Sequence, residues 1–408
     1  MSWVDSYAMG LLLNKHNYLL CGAKNNCFRN IKKTLRATFK LTVHCLFNLN
    51  AQLCSLIITK MSQIPTTQKL YRLHKFEGID SLTLHNAEPV EQPKRKQVLV
   101  RLHAASLNFR DLLISSGRYG ASFPSGLIPL SDAAGEVVQV GPEVNSLKIG
   151  DKVCGTFYEA WTDGEVSDEN TRLALGGSVP GVLSQYRVFE ESALVKFPSH
   201  LSWEEAATLP CAAVTAWFSL AENGIHNVGP GNTVLIIGTG GVSLFGLQFA
   251  VQAGATVIVL SSSDEKLEKA KKLGATHLVN YNTHPDWHVK VKELTNGKGV
   301  DHVLEVGGDG TLLRSLNSVK KGGHVHMIGV LARSEENVNV GLHVLLNVAN
   351  LRGILVGSRG TFERMNRVIE QHAIKPIVDS VFKFEQAKEA LQYLASGKHF
   401  GKIVIRID

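Results

Sequence analysis

The stretch Thr233-Val-Leu-Ile-Ile-Gly-Thr-Gly-Gly-Val-Ser-Leu-Phe-Gly246 carries the strongest structural signal in this chain. Its β-branched and apolar start predicts a buried strand, its glycines predict a tight turn, and the apolar run 242–253 predicts a helix. Glycine allows the sharp bend and lets backbone N–H groups approach a phosphate without a Cβ in the way. Strand, turn and helix N-terminus in this order are typical of a site for a dinucleotide pyrophosphate.

The glycine loop departs from the usual G-x-G-x-x-G spacing. Gly238 and Gly240 fit that spacing, Gly241 is added, and Ser243 stands where the third glycine would be. A glycine turn between any buried strand and helix would fit a degenerate loop equally well. The sequence around the loop therefore has to decide between the two interpretations.

Strand patterns alternate with helix patterns after the loop. Short apolar, β-branched runs predict strands at 255–260, 277–280, 301–306 and 323–330, and the helix patterns between them include 264–273 and 311–319. Such alternation predicts an α/β fold with a doubly wound parallel sheet. The second of its strands ends about 20 residues after the loop, where a side chain that reads a ribose belongs.

The segment 68–195 has a different pattern. Short strands punctuated by Gly and Pro, for example at 98–104 and 133–140, predict a small β-barrel. The tail 351–408 has one helix pattern at 384–395 and one strand pattern at 401–406, and we expect it to return to the barrel because a lone helix and strand need a partner surface. The cleft between the two domains is the expected substrate site.

The positive charge of the chain is confined to its start. The formal net charge is +7, and residues 1–60 hold eight Lys or Arg and one acid, whereas the other 348 residues hold 35 basic and 35 acidic side chains. The globular part therefore has no overall attraction for nucleic acid, and we expect neither a nucleic-acid nor a membrane partner. Two cysteines after residue 60, Cys154 and Cys211, indicate a reducing compartment.

Residues 1–60 permit three interpretations. They form an atypical basic extension ahead of a new start at Met61, a mitochondrial presequence, or a membrane span within the uncharged run 41–59. Polar residues interrupt that run, which disfavours a span. The spacings of the four cysteines in residues 1–60 are not those of a zinc finger. We expect a disordered or non-native extension and a cytoplasmic protein, or a mitochondrial one where 1–60 is a presequence.

Several motifs in order make the chain resemble the medium-chain dehydrogenase/reductase superfamily. They are Ser106-Leu-Asn-Phe-Arg-Asp-Leu-Leu-Ile-Ser-Ser-Gly-Arg-Tyr119, Ala133-Ala-Gly-Glu-Val-Val-Gln-Val-Gly141, Ile149-Gly-Asp-Lys-Val153, Leu209-Pro-Cys-Ala-Ala-Val-Thr-Ala-Trp217, Lys271-Lys-Leu-Gly-Ala275 and Gly401-Lys-Ile-Val-Ile405. The resemblance covers about 68–408. It implies a GroES-like β-barrel over 68–195, a Rossmann domain over 196–350, a C-terminal return over 351–408, and a homodimer.

The resemblance also bears on metal. Asn108 stands at the first cysteine ligand of the zinc alcohol dehydrogenases, Leu130-Ser131-Asp132 replaces their Gly-His-Glu, and only Cys211 matches a ligand. One thiolate cannot hold a catalytic zinc ion, which takes three protein ligands. The chain is thus similar to the zinc-independent, quinone oxidoreductase-like branch and to zinc-type alcohol dehydrogenase-like proteins that have lost the metal, and no metal site is expected.

The implied chemistry is hydride delivery from a reduced nicotinamide to a quinone, an α,β-unsaturated carbonyl or a similar small electrophile. This reaction needs positioning and a proton source more than a Lewis acid. Two alternatives stay open: a mitochondrial 2-enoyl thioester reductase, and a cofactor-binding family member with a structural or RNA-associated role. NADPH is favoured over NADH because the serines 261–263 and Lys266 stand where a ribose-binding carboxylate would be.

The resemblance assigns roles to individual residues. Asn108 and Tyr119 are the catalytic candidates, although Tyr119 could instead be an aromatic residue of the cleft wall. Thr215 could pack a helix, Lys402 could be a solvated strand end, and the serines could cap a helix. Contacts with the cofactor are expected from Thr215, Gly238, Gly240, Gly241, Val242, Ser262, Lys266, Gly307, Gly329, Val330 and Lys402.

Overall fold

The computed structural model describes residues 64–120, 123–222, 227–332 and 339–408. In chain order, the strands are β1 Thr67–Leu73, β2 Leu82–Pro89, β3 Gln97–Ser106, β4 Asp132–Val140, β5 Lys152–Gly155, β6 Tyr186–Glu190, β7 Leu194–Lys196, β8 Thr233–Ile237, β9 Thr256–Ser261, β10 His277–Asn280, β11 Val300–Glu305, β12 Val319–Met327, β13 Asn350–Gly353, β14 Val378–Lys383 and β15 Lys402–Arg406. The helices are α1 Phe109–Ser115, α2 Asp168–Thr171, α3 Trp203–Ala206, α4 Val214–Ala221, α5 Gly241–Gln252, α6 Asp264–Lys272, α7 Trp287–Leu294, α8 Asp309–Ser318, α9 Val340–Asn347, α10 Arg359–Gln371 and α11 Ala387–Ala395.

Six parallel strands form one sheet in the order β10-β9-β8-β11-β12-β13. The residues of the central strands β9, β8 and β11 are almost all buried because helices cover both faces, as their near-continuous apolar sequences predict. The predicted parallel α/β sheet is confirmed, and its order is that of a doubly wound fold. The order reverses between β8 and β11, so the carboxyl ends of these two strands flank the point where such folds bind ligands.

A second sheet of seven strands is mainly antiparallel. Its order is β14-β15-β3-β4-β5-β7, with β6 paired to β3. The C-terminal strand β15 lies antiparallel to β3, with Val404 opposite Ser106, and parallel to β14. The C-terminal strand therefore lies in the same sheet as β3, which precedes the parallel sheet in the chain. The helix predicted at 384–395 consists of a 3-10 turn over Phe384–Gln386 followed by α11.

The parallel sheet has one strand that the pattern analysis missed. Strand β13 pairs with β12 at the sheet edge and runs to Gly353, past the predicted domain boundary at 350. It is short, and Asn350 and Arg352 give it no apolar run, so neither length nor hydrophobicity marked it. Pairing along one edge, rather than burial, keeps it extended.

The interpretations of residues 1–60, including the presequence, the span at 41–59 and the thiol cluster, lie outside the described residues. In the part of the chain that the structure describes, no helix is both long enough and apolar enough to cross a bilayer.

Candidate active site

The glycine loop links β8 to α5. Gly238 takes a positive φ of 77°, which a side chain would strain, and its N–H donates to the Leu260 carbonyl at 2.8 Å. Helix α5 begins at Gly241, and its first-turn N–H groups have no acceptor within the helix. Together with the helix dipole, these donors make the loop suited to a phosphate group.

Ser243 and Gly246 share the work of the third glycine of the motif. The Ser243 hydroxyl donates to the Ile237 carbonyl at 2.7 Å and so ties the helix back to the end of β8. Close packing of the helix on the sheet depends instead on Gly246, because a Cβ there would overlap the Leu304 Cδ1 atom. The degenerate spacing is therefore compatible with the usual strand–turn–helix geometry.

The C-terminal strand contacts the glycine loop directly. The Gly401 N–H donates to the Thr239 carbonyl at 3.0 Å, and the side chain of the next residue, Lys402, passes beside the loop. A Cβ on Gly241 would come within 2.5 Å of Lys402 Cδ and 3.2 Å of Ala212 Cβ. Gly241 is thus required for the passage of the lysine stem as well as for approach to a ligand.

The ammonium group of Lys402 is buried in a polar cluster. Its Nζ donates to the Leu107 carbonyl at 2.6 Å and to Asn108 Oδ1 at 2.7 Å, and it lies 3.8 Å from Asp132 Oδ2. Lys402 is only 3% exposed and Asp132 is fully buried. The Asp132 carboxylate also accepts from the Ser131 hydroxyl at 2.6 Å. The carboxylate offsets the charge of the ammonium, as a buried ion requires.

Asp111 lies under this cluster on α1. Its Oδ2 accepts the Asn108 N–H at 2.7 Å, whereas its buried Oδ1 has no hydrogen-bond partner within the described residues. Burial raises the pKa of the Asp111 carboxyl to about 6, and the neighbouring Arg110 charge opposes that shift only in part. Asp111 therefore fixes the start of α1 and with it the position of Asn108.

The residues at this cluster do not fit a zinc ion. The described ranges contain no group of three or more His, Cys, Asp or Glu side chains that could hold a metal. Burial, followed by the charge of Asp132, raises the pKa of the Cys211 thiol to about 12, which disfavours the thiolate that zinc binds. The Lys402 ammonium is itself a cation bound by Asn108 and next to Asp132.

A second group of polar side chains lies at the carboxyl ends of β9 and β10. Ser263 caps α6 by accepting the Lys266 N–H at 3.3 Å, and the Asp264 carboxylate accepts from the Asn280 amide at 2.8 Å. The Lys266 ammonium donates to the Gly397 carbonyl at 2.9 Å, and partial burial lowers its pKa. Tyr281, which follows β10, is partly exposed beside them.

One cavity of about 490 Å³ extends from the cluster around Lys402 to the carboxyl ends of β9 and β10. Its wall brings together most of the residues predicted from sequence, which are Asn108, Tyr119, Thr215, Gly238, Gly240, Gly241, Val242, Ser262, Lys266, Gly329, Val330 and Lys402. The Thr215 hydroxyl donates to the Cys211 carbonyl at 2.7 Å within its own helical segment. Tyr119 remains 41% exposed at the mouth.

Gly307 is the predicted residue that does not line this cavity; its neighbour Val306 does. The Gly307 N–H donates to Glu305 Oε1 at 2.6 Å, and the same oxygen accepts from the Gly308 N–H and the Thr311 hydroxyl. Glu305 is fully buried and so organises the turn between β11 and α8. A carboxylate inside an apolar strand was the available signal for this role.

Further polar residues of the cavity wall were not predicted from sequence. They include Arg110, Tyr158, Tyr281, Thr239 and His399. Arg110 stands within the motif that contains Asn108, but its type alone did not distinguish it from a surface arginine. Tyr158 belongs to a segment without a helix or strand pattern. Burial, followed by the nearby Tyr119, raises the pKa of its phenol, so the hydroxyl is protonated at neutral pH.

Comparison with known proteins identifies the two domains. Residues 94–199 match the family model of the alcohol dehydrogenase GroES-like domain, and residues 241–371 match that of the zinc-binding dehydrogenases. A zinc-type alcohol dehydrogenase-like protein of Schizosaccharomyces pombe is 46% identical over 342 residues, which are 83% of this chain and 99% of that protein.

Other relatives differ in their nicotinamide cofactor. The solved structure of an NAD-dependent alcohol dehydrogenase superposes with a TM-score of 0.76 at 31% identity, covering 83% of this chain and all of that one. An NADPH-dependent alkenal/one oxidoreductase of Arabidopsis thaliana is 28% identical over 85% of this chain and 82% of its own length. The chain belongs to the medium-chain dehydrogenase/reductase superfamily, and it is an oxidoreductase of the NAD(P)H-dependent kind.

Proposed function

We propose that this protein is a zinc-independent, NADPH-dependent reductase that delivers hydride to a quinone, an α,β-unsaturated carbonyl or a similar small electrophile. The observation that carries the proposal is one cavity whose wall includes the glycine loop, Lys402, Tyr119 and Tyr158. A nicotinamide cofactor bound in this cavity would supply the hydride. Zinc independence is supported by the Lys402 ammonium, which binds Asn108 Oδ1.

The residues of the barrel end suit the charge that develops during reduction. Hydride addition at the β-carbon of an enone moves the electron pair of the C=C bond toward the carbonyl oxygen. Lys402 lines the cavity there, and a fixed positive charge stabilises an oxyanion that develops nearby. The α-carbon then takes a proton, for which the Tyr119 and Tyr158 hydroxyls, both on the cavity wall, are the candidate donors.

NADPH is favoured by the groups at the ribose end. Ser262, Lys266 and the Tyr281 phenol line the cavity there, and its lining includes no Asp or Glu among the described residues. A ribose diol would call for a carboxylate at the end of β9, whereas a 2′-phosphate calls for a cation. The Asp264 carboxylate, which follows, is hydrogen-bonded to Asn280.

A substrate panel tests the reaction. The full-length protein would be incubated with NADPH or NADH and quinones, enones, enoyl thioesters or aldehydes, and nicotinamide oxidation followed by absorbance. We expect turnover with quinones or enones. Protein that metal analysis shows to be free of zinc should keep its full activity. Preference for enoyl thioesters would support that alternative, and nucleotide binding without any turnover would support a non-enzymatic role.

Exchange of Lys266 tests the cofactor. Lys266→Ala should raise the KM for NADPH by about tenfold to a hundredfold and leave that for NADH within about threefold, because one charge-assisted contact is lost. Lys269→Ala, on the same helix, is the matched control, since Lys269 forms an exposed ion pair with Glu265. Equal effects on both nucleotides would refute the assignment of NADPH.

We also propose a homodimer. Strand β13 is the edge of the parallel sheet, and α9 beside it exposes Leu342, Leu345 and Leu346, of which Leu345 is 72% exposed. An open edge next to apolar side chains suits pairing with a second copy. Light scattering of the full-length protein should give the mass of two chains, and Leu345→Glu should reduce it to one.

A cytoplasmic or mitochondrial location is tested by cell fractionation.

A further inference from the structure

Arg110 presents a buried positive charge that is hydrogen-bonded to no carboxylate of the described residues, although the charge of the adjacent Asp111 acts on it. The residue is only 8% exposed, and its one hydrogen bond within the described residues runs from Nη1 to the Leu175 carbonyl at 2.8 Å. Its buried Nε has no acceptor there. The adjacent Asp111 does not pair with it, since Asp111 Oδ2 accepts from Asn108 and Oδ1 has no partner in the same ranges.

Aromatic rings hold the Arg110 guanidinium in place. Its central carbon lies 4.6 Å from the centroid of Phe157 and 5.3 Å from that of Tyr119. Such cation–π contacts orient a guanidinium and offset part of its desolvation, but they do not neutralise its charge. A buried ion that is not hydrogen-bonded to a counter-ion is costly, so the site is suited to an anion that arrives with a ligand.

The lining of the cavity indicates which ligand brings that anion. Three cations, Arg110, Lys266 and Lys402, line it, and no Asp or Glu does so among the described residues. Lys402 has Asp132 as its counter-ion, and Lys266 lies at the ribose end, on the helix that follows β9. Arg110 lies on α1, against Tyr119 and Phe157, and is left for the substrate.

We propose that Arg110 is the substrate anchor and that the physiological substrate is an α,β-unsaturated carbonyl compound that carries a carboxylate. This inference rests on the proposed reductase function and narrows its substrate class. A guanidinium binds a carboxylate through charge-assisted hydrogen bonds, which place the rest of the substrate at a fixed distance from the anchor. A neutral enone has no group of equivalent strength and would be held by the aromatic wall alone.

A matched pair of substrates tests the proposal. One is an enone acid whose carboxylate is separated from the enone by three methylene groups, and the other is its methyl ester, so the reacting C=C bond is the same. In the wild type we expect kcat/KM for the acid to exceed that for the ester by about tenfold to a hundredfold. Arg110→Met should bring the ratio close to one, mainly through KM of the acid, and Arg110→Lys should retain part of it.

Two controls separate anchoring from folding and from general electrostatics. Arg118→Met removes an exposed charge near Tyr119, outside the cavity, and should leave the acid-to-ester ratio unchanged. A cooperative urea unfolding transition of Arg110→Met reports that the variant is folded. A ratio of one in the wild type overturns the carboxylate assignment and leaves the reductase function standing.

Binding provides a readout that does not depend on turnover. Calorimetry with the saturated acid and its methyl ester, in the presence of NADPH, should show the acid binding about tenfold more tightly to the wild type and equally to Arg110→Met. Equal binding of acid and ester to the wild type overturns the inference. Absence of turnover for every enone and every quinone, with the acid still preferred in binding, refutes the reductase function alone.

Discussion

The two ends of the cavity are built in opposite ways. At the glycine loop, Gly238, Gly240 and Gly241 are neighbours in sequence, and the backbone of one turn offers the donors. At the barrel end, Asn108, Asp132 and Lys402 come from distant parts of the chain, and buried side chains compensate one another. The first end depends on the absence of side chains, and the second depends on exact charge pairing inside the protein.

This difference predicts that the barrel end is the more vulnerable to a single change. Lys402→Met keeps the aliphatic stem but leaves the Asp132 carboxylate buried without its cation, so the free energy of unfolding should fall by about 3–5 kcal/mol. Urea unfolding measures the loss. The double variant Lys402→Met/Asp132→Asn should recover part of it; an unaltered midpoint in the single variant would show that the pair contributes nothing.

The glycine loop should respond in ligand affinity instead. Gly241→Val places a branched side chain against Lys402 and Ala212 and over the start of α5, and we expect NADPH affinity to drop by about a hundredfold. Calorimetric titration measures this. Gly229→Ala is the control, because a Cβ there meets open space and its φ is not in the left-handed region. Similar affinities for the two variants would contradict a backbone-built phosphate site.

Asp111 should make the stability of the barrel end dependent on pH. Its folded-state pKa of about 6 lies above the ordinary value of 3.8, so the folded protein binds this proton more tightly than the unfolded chain does. That stabilisation is complete below pH 3.8 and is lost as the pH rises through 6. Relative to the wild type, Asp111→Asn should therefore gain about 2–3 kcal/mol in the free energy of unfolding between pH 4 and pH 7.

Asp163 provides a control of opposite sign for that measurement. Hydrogen bonds from Arg364 lower the pKa of its carboxyl to about 2, so its contribution is present above pH 3.8 and is lost as the pH falls toward 2. Asp163→Asn should thus lose stability relative to the wild type as the pH rises. Parallel curves for the two variants would show that neither carboxyl titrates as described.

The smallest effect is expected for Ser243, the residue that departs from the G-x-G-x-x-G spacing. Ser243→Gly restores the G-x-G-x-x-G spacing but removes the hydrogen bond to the Ile237 carbonyl. The free energy of unfolding should fall by about 1 kcal/mol in thermal or urea unfolding. A gain in stability would show that glycine is the better residue at this position.

The same contrast explains what could be predicted from sequence. The parallel sheet and the loop were predictable because strand, turn and helix are local patterns, and each leaves its period in the sequence. The pairing of Lys402 with Asn108 and Asp132 was not, because no local pattern records a contact across the fold. Arg110 was missed for the same reason: its burial arises from Phe157 and Leu175, which are far away in the chain.

The contact between Gly401 and Thr239 has a consequence for synthesis. Strand β3 precedes the parallel sheet in the chain, whereas its antiparallel neighbour β15 follows that sheet. During translation, the parallel sheet is therefore complete at Gly353, before the ribosome has made the strand that closes the barrel sheet and carries Lys402. A growing chain should thus form the nucleotide-binding sheet first, and a chain that stops before β15 should leave the edge of β3 unpaired and open to chaperones.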